Sequence, residues 1–285
     1  ELLDEKARLV NRSGLLEFVE IDVAVDQVGG LENFKAWLEG RRNVFTEAAR
    51  QAGVQPPRGV LLMGITGCGK SIAVKATASF WNLPLLRLDM IRLYGGALGA
   101  PEEAIRRVTR QAESLAPCVL WMDEIETGIS VAGHKADAGP ASRILGYFLT
   151  WMQERKSTCF LAATANEVYR LPPEFLRKGR FDEIFFVDLP DQKMRTSLFT
   201  IHLQKRGLTP EKFDCQSLAE KAADFSGAEI EQAIISALYR ASSKKEPVST
   251  ALILAQIHST KPLALLKEEE VTSLREWAKE RTIPA

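Results

Sequence analysis

The feature that most restricts what this chain can fold into is the run Val60-Leu61-Leu62-Met63-Gly64-Ile65-Thr66-Gly67-Cys68-Gly69-Lys70-Ser71-Ile72-Ala73-Val74. It opens on a short apolar stretch closed by glycine, the pattern of a buried parallel strand. Residues 64–71 then match G-x-x-x-x-G-K-[ST] in full, and a helical apolar start at Ile72 follows at once. An ordinary glycine-rich turn would lack that strand–loop–helix context. Glycines let such a loop curl until its backbone N–H groups converge on phosphate oxygens, with the positive end of the next helix behind them. Lys70 is expected at the β- and γ-phosphates and the Ser71 hydroxyl on Mg²⁺. Cys68 lies inside the loop, near a helix N-terminus, where a thiol pKa can fall. With no second cysteine near it in sequence, a small residue filling a small slot is the favoured reading over a redox switch.

The same strand signature recurs at 83–88, 118–122, 159–163 and 184–189, with helical stretches at 72–81, 102–116 and 142–154 between. This alternation indicates an α/β domain with a mostly parallel sheet and right-handed crossovers. After Pro190-Asp191 the pattern turns helical, with Met194, Leu198 and Ile201, then Leu218 and Ala222, then Ile230, Ala233, Ile234 and Leu238, then 252–257. Leu263, Leu266, Val271, Leu274 and Trp277 predict one more helix. Ahead of the sheet, residues 1–20 read as a polar lead-in, and Leu31, Phe34, Trp37 and Leu38 as a helix. The expected organisation is a lead-in at 1–25, an α/β nucleotide-binding domain at 26–190, a small all-helical lid at 191–262 and a helical tail at 263–285.

The apolar strand ending in Trp121-Met122-Asp123-Glu124 places two carboxylates at the crevice end of a parallel sheet. Two acids after a strand are often a capped loop. Behind a phosphate loop they read as a hydrolysis site, with Asp123 holding Mg²⁺ and Glu124 deprotonating the attacking water. Glu126 is expected to be structural.

Lys and Arg number 37 and so do Asp and Glu, giving zero net charge, so no global field favours nucleic acid or an anionic membrane. The four cysteines show no zinc-ligand spacing and read as reduced thiols of a cytosolic protein. No apolar run approaches the ~20 residues of a membrane helix, and no signal-peptide pattern opens the chain.

The motifs at 64–71 and 120–124, with Ala163-Thr164-Ala165-Asn166 and Leu176-Arg177-Lys178-Gly179-Arg180-Phe181-Asp182, stand in the order and spacing of the AAA ATPases, which the chain resembles. Asp26-Gln27-Val28-Gly29-Gly30-Leu31 resembles the segment opening that module, and Phe225-Ser226-Gly227-Ala228-Glu229-Ile230 its lid motif. The resemblance covers roughly residues 25–258. It is closest to the hypothetical chloroplast open reading frame 46 family of cyanobacteria, plastids and other bacteria, on Leu83-Pro84-Leu85-Leu86-Arg87-Leu88-Asp89, Ala116-Pro117-Cys118-Val119-Leu120-Trp121 and residues 177–190.

The resemblance implies an AAA+ module binding ATP and Mg²⁺, with Gly64, Ile65, Thr66, Gly67, Cys68, Gly69, Lys70, Ser71 and Ile72 around the phosphates. It implies that Val28, Gly29, His202, Gly227 and Ala228 form the adenine and ribose pocket, with no sensor-2 arginine at 228. Asn166 corresponds to the sensor-1 residue, and Arg177 and Arg180 to arginine fingers that reach the ATP of a neighbouring subunit. From spacing alone, Asn166 would be a turn residue, Arg177 and Arg180 a basic turn, and His202 a structural histidine. The family further implies a homo-oligomeric, hexameric ring in a bacterial cytosol or plastid stroma. It usually carries another N-terminal domain, which accords with a chain that starts at Glu1. One departure concerns the central pore: Ala97 stands where a polypeptide-gripping aromatic is expected. Tyr94 either substitutes for it or packs at a helix end. Residues 133–139 read as a flexible loop, with a second pore loop as the alternative.

Three functions follow. The favoured one is an ATP-hydrolysing ring that remodels a protein partner whose identity the sequence does not carry. A nucleotide-gated adaptor with slow hydrolysis is favoured only by Ala97. A nucleic-acid loader is disfavoured by the zero net charge.

Overall fold

The computed structural model describes residues 14–94, 101–127, 140–177 and 179–285, and only the backbone of Asp26, Ile91, Tyr94, Pro101 and residues 140–143. Ala97, the loop at 133–139 and the side chain of Tyr94 lie outside this set.

In chain order the elements are β1 (Leu16–Val19), α1 (Glu32–Glu39), α2 (Glu47–Gln51), β2 (Gly59–Gly64), α3 (Lys70–Trp81), β3 (Leu85–Leu88), α4 (Met90–Tyr94), α5 (Pro101–Ser114) and β4 (Cys118–Met122). They continue with α6 (Pro140–Glu154), β5 (Cys159–Ala165), β6 (Glu183–Val187), α7 (Gln192–Gln204), α8 (Cys215–Lys221), α9 (Gly227–Lys244), α10 (Thr250–Ser259), α11 (Leu263–Leu266), α12 (Glu268–Ala278) and β7 (Ile283–Pro284). The strands form a seven-stranded sheet in the order β1-β3-β4-β5-β2-β6-β7. β3, β4, β5 and β2 are parallel neighbours, with Leu88 opposite Met122, Met122 opposite Ala163 and Leu61 opposite Ala163. This is the α/β, P-loop-type architecture that the alternation of apolar runs predicts.

β1 departs from expectation. Its residues fall within the stretch read as a polar lead-in, yet Leu16–Val19 pairs antiparallel with β3. The strand is short and half-exposed, so its apolar signal is weak. Its pairing is reinforced across the ladder, where Arg87 Nη2 lies 2.6 Å from Glu17 Oε2 at directly opposite positions.

The chain divides into two compact units. One holds the described residues up to Val25 together with Phe34–Met63 and Ser71–Phe185. Its core includes an aromatic cluster that fastens α1 and α3 to the sheet: Trp81 meets Phe160 edge-on at 4.8 Å between ring centroids, and Phe34 meets Phe185 at 5.2 Å. The Trp81 indole N–H also bonds Arg41 O at 3.1 Å. Cys118 and Cys159, far apart in sequence, are register partners on β4 and β5 with their sulfurs 3.7 Å apart, and both are free thiols.

The other unit comprises Asp26–Asn33, Gly64–Lys70 and Phe186–Ala285. Its helical part is built on Phe199, Leu203, Leu218, Ile230, Ile234 and Ile253, all fully buried. Three of its helices start on a side-chain cap: on α7 Asp191 accepts from Met194 N, on α9 Ser226 exchanges a capping box with Glu229, and on α10 Ser249 accepts from Leu252 N. No helix among the described residues is long and apolar enough to cross a membrane.

Close backbone approach within the sheet makes a stability prediction. A Cβ at Gly59 would lie 2.3 Å from the Leu161 carbonyl oxygen, whereas one at Gly146 would meet nothing within 4 Å among the described residues. Gly59→Ala should therefore destabilise the chain by about 2 kcal/mol or more through overpacking. Gly146→Ala, inside α6, should stabilise it by about 0.5–1 kcal/mol. Urea-unfolding midpoints moving in opposite directions check both signs.

Candidate nucleotide site

The loop between β2 and α3 is shaped by glycine. Gly64, Gly67 and Gly69 have φ of 142°, 80° and 98°, a region that L side chains rarely enter. At Gly64 the approach is also too close for a side chain, since a Cβ would lie 2.1 Å from Val187 O. The next residue continues that contact, with Ile65 N donating to Val187 O at 3.0 Å. Lys70, 6% exposed, turns its ammonium back into the loop and donates to Gly64 O at 2.9 Å and Ile65 O at 2.8 Å. A cation buried among loop carbonyls fits a site built for anionic phosphate. Thr66 is exposed and Cys68 half-buried. Burial pushes the Cys68 thiol up to about 12, with Lys70 pulling the other way and Asp188 and Glu229 adding to the rise.

The same unit gathers the residues expected at the base. Gly29 packs so tightly on α7 that a Cβ would sit 2.9 Å from Leu198 Cδ2, and one at Gly227 would meet Leu198 Cδ1 at 3.7 Å and Gly67 O at 3.4 Å. Ala228 N closes the loop by donating to Gly67 O at 3.0 Å. Leu198 therefore joins Gly29 to Gly227, a role with no motif to announce it. Val28 is buried and Ala228 exposed. His202, one turn beyond Leu198 on α7, is 7% exposed, its Nδ1 3.6 Å from Glu231. Burial holds the His202 imidazole below its ordinary range, so it is neutral at physiological pH.

In the other unit, Ser71, Asp123, Glu124 and Asn166 converge through a residue that the sequence reading passed over. Thr164, fully buried near the end of β5, donates to Asp123 Oδ1 at 2.6 Å and accepts from Glu124 N at 2.9 Å. Ser71 donates to the same Asp123 oxygen at 3.3 Å. A hydroxyl and a carboxylate so placed are hard oxygen ligands of the kind Mg²⁺ takes. Glu124 has φ of 47°, an uncommon value for a residue with a side chain. Its Oε1 accepts from Asn166 Nδ2 at 2.9 Å. Glu126 sets the turn that carries Asn166: its Oε1 accepts from Asn166 N at 2.8 Å and Glu167 N at 3.3 Å. Burial raises the Glu126 pKa.

The two arginines part company. Arg177 is exposed, while Arg180 is 7% exposed and its Nε and Nη1 lack a hydrogen-bond partner among the described residues. The cause is local. Asp182 is pinned to Gly59 in both directions, N to O at 2.8 Å and Oδ2 from N at 2.7 Å, which draws the turn after Arg177 onto the sheet.

The model of the ATPase family associated with various cellular activities (AAA) matches residues 60–189, from β2 through β6. The AAA domain-containing protein ycf46 of Pyropia yezoensis is 44% identical over 278 residues, covering 97% of this chain and 56% of that protein. This chain belongs to the AAA family. Its module is of the ycf46 type: the ycf46 protein of Guillardia theta is 41% identical over 96% of this chain and 54% of its own length. The AAA chain thus spans a little over half the length of these relatives. The cell division cycle protein 48 homolog of Archaeoglobus fulgidus is 33% identical over 74% of the chain and 29% of its own length. Among solved structures, the crystal structure of the FIGL-1 AAA domain superposes with a TM-score of 0.75 at 20% identity, covering 99% of this chain and 97% of that one, which supports the AAA fold alone.

The raised Cys68 pKa sets the reactivity of this AAA loop. With a thiol near 12 instead of 9.0, the thiolate fraction at pH 8 falls by about a thousandfold, and alkylation should slow in proportion. Iodoacetamide labelling of the native chain, read by mass spectrometry of the Cys68 peptide, checks this. A rate equal to that of a free cysteine would contradict it.

Proposed function

We propose that the chain hydrolyses ATP with Mg²⁺ at a site shared between copies of itself, and uses the cycle to remodel a protein partner. The observation that carries the hydrolytic reading is the joined set Ser71–Asp123–Thr164–Glu124–Asn166. Magnesium, when bound, would neutralise phosphate charge, with Ser71 and Asp123 holding it. Glu124 accepts the proton of the attacking water. Asn166, bonded to that carboxylate, orients it. Thr164 fixes both acids by binding one side chain and the other's backbone N–H. Lys70, adjacent to Ser71 in the chain, gives its ammonium to the phosphates.

The shared-site part rests on the arginines. Arg177 is open to a neighbour. Arg180 keeps two buried nitrogens unpartnered among the described residues. Such groups cost about 1–3 kcal/mol each until an acceptor arrives, and a second copy supplies a place for one. Ring formation and remodelling are what the resemblance to the AAA ATPases implies, and the exposed Arg177 is available to a neighbouring copy.

Glu124→Gln should lower phosphate release by about 10²-fold or more while ATP binding persists. Thr164→Val should lower it by about tenfold, with Thr164→Ser restoring most of the rate, as expected for one buried hydrogen bond to a charged group. Mixing Glu124→Gln chains with Arg177→Ala chains decides the shared site. Each inactive variant carries what the other lacks, so a mixture should recover activity that neither shows alone. No recovery, with both variants still assembling, would remove the shared site and leave a self-contained or slow nucleotide switch.

A further inference from the structure

A helix of the tail is tied to the residue that follows the phosphate loop's backbone partner, Val187. Arg275, on α12, holds Asp188 with a two-pronged bond: Nε lies 3.0 and 2.9 Å from the two carboxylate oxygens, and Nη2 lies 2.8 Å from Oδ1. The partners are 87 residues apart and belong to the same compact unit. Asp188 directly follows Val187, whose carbonyl receives Ile65 N at 3.0 Å and lies 2.1 Å from where a Gly64 Cβ would be. A second carboxylate, Glu229, sits at the start of α9, bonded to Ser226 N and Oγ at 2.8 Å and to Leu263 N at 2.8 Å. Both acids act electrostatically on Cys68 inside the loop, and Arg275 is in electrostatic reach of Cys68 and Asp224 as well. The first turn of α9 contributes an acid and no base.

A nucleoside di- or triphosphate brings several negative charges to this loop. Carboxylates behind it repel them over distances up to about a Debye length, ~10 Å at moderate salt. As a contribution to folding, a half-exposed pair such as Asp188–Arg275 counts for little. Its position beside the loop gives it a different consequence.

We propose that Arg275 is a positioning residue for nucleotide binding, neutralising Asp188 beside the phosphate loop so that the loop accepts the phosphates of a nucleoside di- or triphosphate. This rests on the nucleotide reading of the loop and adds a cation that the AAA motifs do not contain. It differs from a purely mechanical role for the tail. If Arg275 only straps α12 down, removing either partner is equally harmful. If it neutralises, removing Asp188 repairs the loss of Arg275.

The test titrates fluorescent ADP and ATP analogues into wild type, Arg275→Ala, Arg275→Lys, Asp188→Asn and the Asp188→Asn/Arg275→Ala double variant, with folding checked by urea midpoint. Arg275→Ala should weaken binding by about three- to tenfold at low salt, more for the ATP analogue than for the ADP analogue, and less at high salt. The double variant should bind within about twofold of wild type, and Arg275→Lys, which keeps the charge but loses the two-pronged geometry, should bind between wild type and Arg275→Ala. An unchanged Arg275→Ala isotherm overturns the inference, and so does a double variant as weak as Arg275→Ala. A wild-type chain that binds neither analogue overturns the nucleotide reading, and this inference with it.

Discussion

A buried ammonium organises the phosphate loop. Lys70 is almost wholly withdrawn from water and donates to the carbonyls of Gly64 and Ile65 at 2.9 and 2.8 Å. An isolated buried cation is costly, so the loop must present carbonyl oxygens to it, and that dictates the loop's path. The path in turn needs glycine: Gly64 at a φ of 142° and Gly67 at 80° let the chain fold back on its own lysine. Side chains are excluded at Gly64 by Val187 O and at Gly67 by Ser226 Oγ, 2.9 Å from a would-be Cβ. The end of β6 and the start of α9 are thus built around a loop with no room to spare. The same crowding puts Asp188 and Glu229 close behind the loop, and it explains why a compensating cation matters there.

The acidic half has its own organising bond. Asp123 Oδ1 accepts from Thr164 at 2.6 Å and Ser71 at 3.3 Å, joining the ends of β4 and β5 to the start of α3. The parallel register makes this possible. Met122 is opposite Ala163, so the next residue on each strand, Asp123 and Thr164, meet at the carboxyl edge of the sheet. Glu124 then turns out of the strand at a φ of 47°, with its backbone N–H held by Thr164 and its carboxylate by Asn166. The strain sits where a side chain must be aimed.

Much of this was legible in the sequence, and the reasons for what was not are physical. The strand–loop–helix at 60–74 and the acids at 123 and 124 announce themselves because local backbone chemistry demands those residues in that order. Thr164 and Glu126 do not, because their roles depend on the β4–β5 register and on a turn 40 residues away. Leu198 is an ordinary apolar helix residue until Gly29 and Gly227 are seen against it. β1 escapes notice because a four-residue edge strand with one exposed side carries little hydrophobic signal. Burial of Arg180 likewise follows from Asp182 clasping Gly59 across 123 residues, a contact with no trace in the motif. Arg275 belongs to the same class. Local pattern reveals chemistry that the backbone enforces locally, and misses chemistry assembled by packing.

The measurement that bears most directly on this account is a structure of the Glu124→Gln chain with Mg²⁺ and ATP. Phosphates should be enclosed by residues 64–71, with the Lys70 ammonium turned from the carbonyls of Gly64 and Ile65 onto phosphate oxygens. Nucleotide bound elsewhere, with Lys70 still clasped by those two carbonyls, would contradict it.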